Sequence, residues 1–424
     1  MCSIAHFSIG ICAEASQIPG SQRRNHIRDF SARSSALKLF GMEVNMEKIN
    51  AGSILRPDAP ERLRSLFDAC GMKKADPKKA ASGKAFSENS VSGNAISGKD
   101  FSGVALITSP EGPVFSYACG YENLTYGIEN RLDTAFDTAS ITKLFTAAGI
   151  VLLESRGMLG LEERIHSILD LGGTQIPEDV KLVHLLTHTA GIADDADEES
   201  GEDYSALFAD IPNYSFRQNR DFLKNFVHKR PNFKPGEQIR YNNCAFILLG
   251  LAIEKLTGKD YRTFITEEIF CPFGMKNSFF AAKEETGRRF AEGYFYGADG
   301  SLKKNIYSFP PIGTADSGAY TTAEDLDRFW RYVNDSPVFH KMLLPHTEQK
   351  REQGEYRYTV GLGAELLERD GKIFRAWKEG SNDGVCNITA FYPEAELTFT
   401  ILGNVDANVW RLHAEAERQM FCGR

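Results

Sequence analysis

The sequence predicts an α+β fold: a mainly antiparallel sheet flanked by helices, plus an all-helical lobe. Three observations predict it. Strand-like segments cluster near both ends of the globular part, Val104–Thr108 and Val114–Ala118 on one side and Phe374–Trp377, Val385–Tyr392 and Leu397–Leu402 on the other. Between them lie apolar runs of helical length, and no internal repeat offers a second sheet. The chain is 424 residues long and 42% hydrophobic, enough for two to three domains at about 150 residues each and for a large buried core.

The elements follow in order. Residues 1–57 are rich in Ser, Arg and Asn without sustained periodicity and read as a disordered extension, with Met42 or Met46 as alternative starts. A globular unit is expected over 58–424. It opens with a short helix from Pro60 that places Leu63, Leu66 and Phe67 on one face. Residues 73–99, poor in large apolar side chains and rich in Ser, Gly, Lys and Ala, read as a low-complexity insert. A hairpin then turns through Ser109-Pro-Glu-Gly112. Helices are expected over Thr142–Met158 (closed by Gly160), Asn243–Leu256 before Gly258, and Tyr261–Ile269. Thr321-x-x-Glu324 has the form of a capping box ahead of Leu326, Phe329 and Trp330. Pro393–Glu396 turns the last two strands, and a helix over about Val409–Met420 ends the chain. Residues 58–135 and 320–424 would thus build helix and sheet, and about 136–319 the helical lobe.

Composition excludes several function classes. Lys+Arg 49 against Asp+Glu 57 leaves a net charge of -8, without the basic footprint of a nucleic-acid binder. The longest apolar run, near Leu144–Leu153, is about half of what a bilayer span needs. The eight Cys never form a C-x-x-C pair, so neither a disulfide scaffold nor a structural zinc is expected. Scattered thiols and an N-terminus without a basic n-region favour a cytoplasmic protein, a weak signal peptide being the alternative. The composition is silent on oligomeric state.

Among catalytic signatures, GxxxxGK[ST] and GxSxG are both absent. His184 and His188 have metal-ligand spacing, but Leu185 stands where a zinc protease needs Glu; no metal and no cofactor is expected. Ser-x-x-Lys occurs three times, at Ser35, Ser140 and Ser301, and only Ser140 opens a strongly apolar helix. There, residues three apart share a face, so the Lys143 amine can reach the Ser140 hydroxyl. A serine hydroxyl needs a base, a lysine can be that base only with a lowered pKa, and a tyrosine near cations can relay a proton. Tyr241-Asn-Asn243 and Lys378-Glu-Gly380 supply a tyrosine, an amide and a second cation. Each has decoys: Tyr121-Glu-Asn123, Tyr332-Val-Asn334 and Lys234-Pro-Gly236.

The ordered set Ser140-Ile-Thr-Lys143, Tyr241-Asn-Asn243, Lys378-Glu-Gly380 resembles the three signatures of the serine β-lactamase and penicillin-binding-protein superfamily. Its tyrosine form is similar to the class C β-lactamase, D-stereospecific peptidase and esterase branch. Surrounding words agree, among them Phe136-Asp-Thr-Ala139, His184-Leu-Leu-Thr-His-Thr-Ala-Gly191, Phe233-Lys-Pro-Gly236 and Gly380-Ser-Asn-Asp-Gly384. The resemblance covers about Phe101 to Asn404. It implies a β-lactamase/transpeptidase-like fold with the site in a cleft between sheet and lobe. Ser140 would be acylated, with Lys143 and Tyr241 sharing base and acid work in an order the sequence leaves open. Lys378 would lower the pKa of Tyr241 and attract anionic groups. Asn243 and the Gly380–Ser381 stretch would bind substrate, with the N–H groups of Ser140 and Ser381 as the oxyanion hole.

Two features strain the match. Glu379 stands where the family usually has Thr or Ser. If it faces the cleft it disfavours anionic substrates; strand alternation to the other side would remove the objection. The acidic run Asp194–Asp203 reads as a solvated loop or as a negative rim beside the cleft. The sequence therefore predicts a serine hydrolase of esters, amides or β-lactams, acting on a small molecule or peptide through an acyl-enzyme. The alternative is a silent relative that binds a peptide or cell-wall fragment.

Overall fold

The computed structural model describes residues 56–72, 100–202, 204–208 and 211–421. The extension expected over 1–57 lies outside these save for Arg56 and Pro57, and the insert expected over 73–99 lies outside them altogether.

The centre is an eight-stranded antiparallel sheet. Its strands in chain order are β1 (Gly103–Ser109), β2 (Gly112–Cys119), β3 (Arg351–Gln353), β4 (Tyr356–Val360), β5 (Glu365–Arg369), β6 (Lys372–Asn382), β7 (Val385–Tyr392) and β8 (Leu397–Gly403). Spatially they run β2-β1-β8-β7-β6-β5-β4-β3, so the N-terminal hairpin docks on the last strand and closes the sheet from both ends of the chain. β7 and β8 are buried at every position, because helices cover both faces at the sheet's centre.

One face carries α1 (Ala59–Cys70) and α5 (Val409–Phe421), whose Leu63, Phe67, Leu412 and Met420 pack with Phe399 and Ile401. The other carries α2 (Thr142–Ser155), α3 (Cys244–Thr257) and α4 (Ala323–Asp335), which share a core with Leu366, Ala376 and Phe391. Alternation along β6 and β7 divides the side chains between these two cores. α2 and α3 lean on each other as the apolar heart of the lobe, and α2 is buried over most of its circumference.

Several boundaries differ from expectation for local reasons. α2 stops at Ser155 rather than near Gly160, because Gly157 already takes a left-handed turn (φ +69°). The Tyr261 helix is regular only to Ile265 and widens into a π turn over Thr266–Phe270. Thr321 does not cap α4: it still pairs with Phe136 as strand, and its hydroxyl lies 2.6 Å from that of Ser278. Thr322 caps instead, accepting the Asp325 N–H at 3.2 Å. The sequence reading had no counterpart for β3–β5, where charged residues break the apolar alternation.

Candidate active site

Ser140 stands in a tight turn between the Phe136–Asp137 strand pair and α2. Its predecessor Ala139 has φ +43°, unusual for a residue with a Cβ. The Asp137 carboxylate holds that conformation by accepting the Ala139 N–H at 2.8 Å. One helical turn on, Lys143 is wholly buried and donates from Nζ to Ser140 Oγ at 3.1 Å. The same amine donates to Asn243 Oδ1 at 2.7 Å and to the Asp316 carbonyl at 2.9 Å. Burial is the main force lowering its pKa to about 8; Asp316 opposes the shift and Lys378 adds to it.

Tyr241 reaches Ser140 from the lobe, its hydroxyl donating to Oγ at 2.7 Å. The His188 ring stacks on it at 4.6 Å, while Lys143 Nζ and Lys378 Nζ lie 5.0 and 4.8 Å from its centroid. Against the expectation that Lys378 lowers this tyrosine's pKa, the net shift runs upward. Burial, then Glu198 and Glu365 among its neighbours, push it well above the ordinary phenol value. At neutral pH Tyr241 is therefore a donor, and the amine of Lys143 is the group that deprotonates more readily.

Lys378 projects from β6, almost fully buried, and its Nζ is 3.0 Å from Glu365 Oε1 on β5. The charge expected to draw in substrate anions is thus already paired. Two residues on, Gly380 runs against the serine turn: a Cβ there would lie 2.0 Å from the Thr138 carbonyl oxygen and 3.2 Å from the Ser140 nitrogen. Only glycine allows β6 to come so close. Ser381 follows on the same strand, opposite Cys386 of β7.

Glu379 lies between Lys378 and Gly380, so alternation turns it to the face of Trp377 and Arg375. It is half-buried, and burial together with Glu365 raises its pKa to about 8. Asn243 uses both ends of its amide internally, Oδ1 to Lys143 and Nδ2 to Glu198 Oε1 at 3.1 Å.

The acidic run is not a solvated loop at its start, since Asp194 and Asp195 are buried. Asp194 accepts the N–H groups of Asn243 at 2.8 Å and Cys244 at 3.0 Å, and so caps α3 from fifty residues upstream. Asp197 pairs with Arg240, Glu198 takes the Asn243 amide, and Glu199 accepts the Tyr241 N–H at 3.2 Å. The loop thus holds Arg240, Tyr241, Asn243 and Cys244. Asp194, Asp195 and Cys244 form a close buried group of metal-ligating types. Both Asp194 oxygens already accept backbone N–H groups there. His184 and His188 each accept a backbone N–H at Nδ1, from Lys181 and Asn242 respectively. Sequence reasoning missed Asp194, Glu198, Asp316 and Glu365 as site residues; only the acidic run carried a signal for the first two.

Residues 92–420 match the Beta-lactamase family. The chain belongs to the Beta-lactamase family. Its members are serine hydrolases acting on amide, ester or β-lactam bonds. Penicillin-binding protein 4* of Bacillus subtilis is 30% identical over 201 residues, which are 46% of this chain and 42% of that protein. The chain thus spans less than half the length of that relative. A penicillin-binding protein from Bacillus halodurans superposes with a TM-score of 0.70 at 34% identity, covering 75% of this chain and 96% of that one. D-amino acid amidase from Ochrobactrum anthropi shares the fold, with TM-score 0.60, 21% identity and coverage of 75% and 94%. Among the described residues no helix is long and apolar enough to cross a membrane.

Proposed function

We propose that the chain is a serine hydrolase that opens an ester, amide or β-lactam bond through an acyl-enzyme on Ser140. The observation that supports this most is one hydroxyl within hydrogen-bond reach of both a buried lysine, at 3.1 Å, and a protonated tyrosine, at 2.7 Å. Neutral Lys143 takes the Ser140 proton as Oγ attacks the carbonyl carbon. Oxyanion charge is met by the N–H groups of Ser140 and Ser381, a pairing supported by the close approach of Gly380 to the serine turn. Tyr241 protonates the leaving group, and the ammonium formed on Lys143 resupplies the tyrosine. Water enters the same position and reverses these transfers to free the acid. Residues 58–424 would form the unit that carries this chemistry.

Peptide mass spectrometry after exposure to a fluorophosphonate, and separately to a penicillin, tests the proposal. The expected result is a fluorophosphonate adduct on Ser140 that disappears in Lys143→Ala. Slow or no penicillin labelling would place the protein with esterases and amidases, whereas penicillin adducts that form and clear quickly would make it a β-lactamase. No adduct from either reagent, with unchanged ligand binding by Ser140→Ala, would replace the hydrolase by a silent binding protein.

A further inference from the structure

The charge around Ser140 is arranged unlike an anion-binding cleft. Lys378, the cation on the β6 side, has its ammonium 3.0 Å from Glu365 Oε1, and that carboxylate is only part-exposed. Arg240, at the other side of Tyr241, is tied to Asp197. Arg351 donates to the Ile239 carbonyl at 2.6 Å. Lys143 faces Asp316, Glu198 and Asp194, and Tyr241 faces Glu198 and Glu365. His188 adds no positive charge, because burial and both lysines hold its pKa well below the usual imidazole value. Among the described residues, Lys143, Lys378, Arg240 and Arg351 each donate to an acceptor within the protein.

We infer that this cleft selects acyl donors carrying a protonated amine and rejects those carrying a carboxylate, with Glu365 as the specificity-determining residue. The inference rests on the hydrolase reading above and names its substrate class. A substrate carboxylate entering beside Lys378 meets an ion pair rather than a free cation. A substrate ammonium meets the carboxylate of that pair with favourable sign, and its amine can share Glu365 with Lys378. Complementary potential of this kind discriminates between partners through like-charge repulsion as much as through attraction. Glu365 is the carboxylate that pairs with this buried cation, and the ion pair reaches across adjacent strands within the sheet.

The test uses the full chain and three p-nitrophenyl esters of similar length: of ε-aminocaproic acid (cationic), heptanoic acid (neutral) and adipic acid (anionic). The kcat/KM for the cationic ester should exceed that for the anionic one by about tenfold or more at low salt, with the gap closing as salt rises. Glu365→Gln should shrink the cationic-to-anionic ratio by about tenfold, with the neutral ester reporting whether the variant is folded and competent. If Glu365→Gln does not fold, the wild-type ratio and its salt dependence decide alone. Equal or better turnover of the anionic ester by the wild type would overturn the inference while leaving the hydrolase reading in place. Turnover of none of the three together with no fluorophosphonate adduct on Ser140 would overturn that reading and the inference together, whereas an adduct without turnover of the cationic ester would overturn the inference alone.

Discussion

The two halves of the site are held in place by different means. Ser140 sits in the turn that enters α2 and Lys143 in its first turn, three residues on, so local geometry brings the amine to the hydroxyl. Tyr241 and Asn243 stand just before α3, and their position depends on the acidic loop at 194–199, which supplies a carboxylate to Arg240, Tyr241, Asn243 and Cys244. A locally placed serine hydroxyl thus faces a tyrosine hydroxyl fixed by tertiary contacts. Damage should divide accordingly: changes at the first half should act on chemistry, and changes at the acidic loop on stability.

The largest expected effect is on the chemical side. Lys143→Ala removes the base and should lower kcat by about 10³-fold, with little change in melting temperature. A comparable loss of stability in that variant would blur the division. Next is Asp194→Ala, which strands two buried backbone N–H groups and removes the carboxylate cap of α3. Urea unfolding should show a loss of about 3 kcal/mol. Glu199→Ala, at an exposed position of the same loop, should cost about 0.5 kcal/mol or less. Equal losses at both positions would show that the buried start of the loop is not what anchors α3.

Glu379 comes third. Its folded pKa of about 8 lies above the unfolded value, so the folded state binds the extra proton and stability falls as pH rises from about 4.5 towards 8. Glu379→Gln should therefore stabilise the protein at pH 8 by about 1–2 kcal/mol, after allowance for partial exposure, and leave it unchanged near pH 4. Stabilisation at both pH values would point to packing instead. Thr322→Ala, which removes a cap supplied within α4's own segment, should cost about 1 kcal/mol. A loss as large as at Asp194 would erase the contrast between a local and a distant cap.

The sequence exposed what is local or ordered. The Ser140–Lys143 spacing, the hairpin of β1 and β2, the strands β6–β8 and the chain order of the three motifs all follow from periodicity or short words. The sheet's far edge was not legible, because Gly354, Gly361 and Gly363 cut Arg351–Arg369 into short pieces and its charged residues interrupt the apolar pattern. The pairing of Lys378 with Glu365 needs the register of β5 against β6, which no local pattern sets. Nor does composition separate a carboxylate that caps a helix fifty residues away from one that faces water, which is why Asp194 resembled its exposed neighbours. Alternation did supply the answer for Glu379 once β6 was in place.

The central claim is that buried Lys143 is the base for Ser140, and the pH dependence of labelling tests it most directly. The rate at which a fluorophosphonate modifies Ser140 should rise with pH through a midpoint near 8, where the lysine loses its proton. The rise should vanish in Lys143→Ala. A rate that stays flat across about pH 6–10, or a wild-type profile retained by that variant, would contradict the assignment.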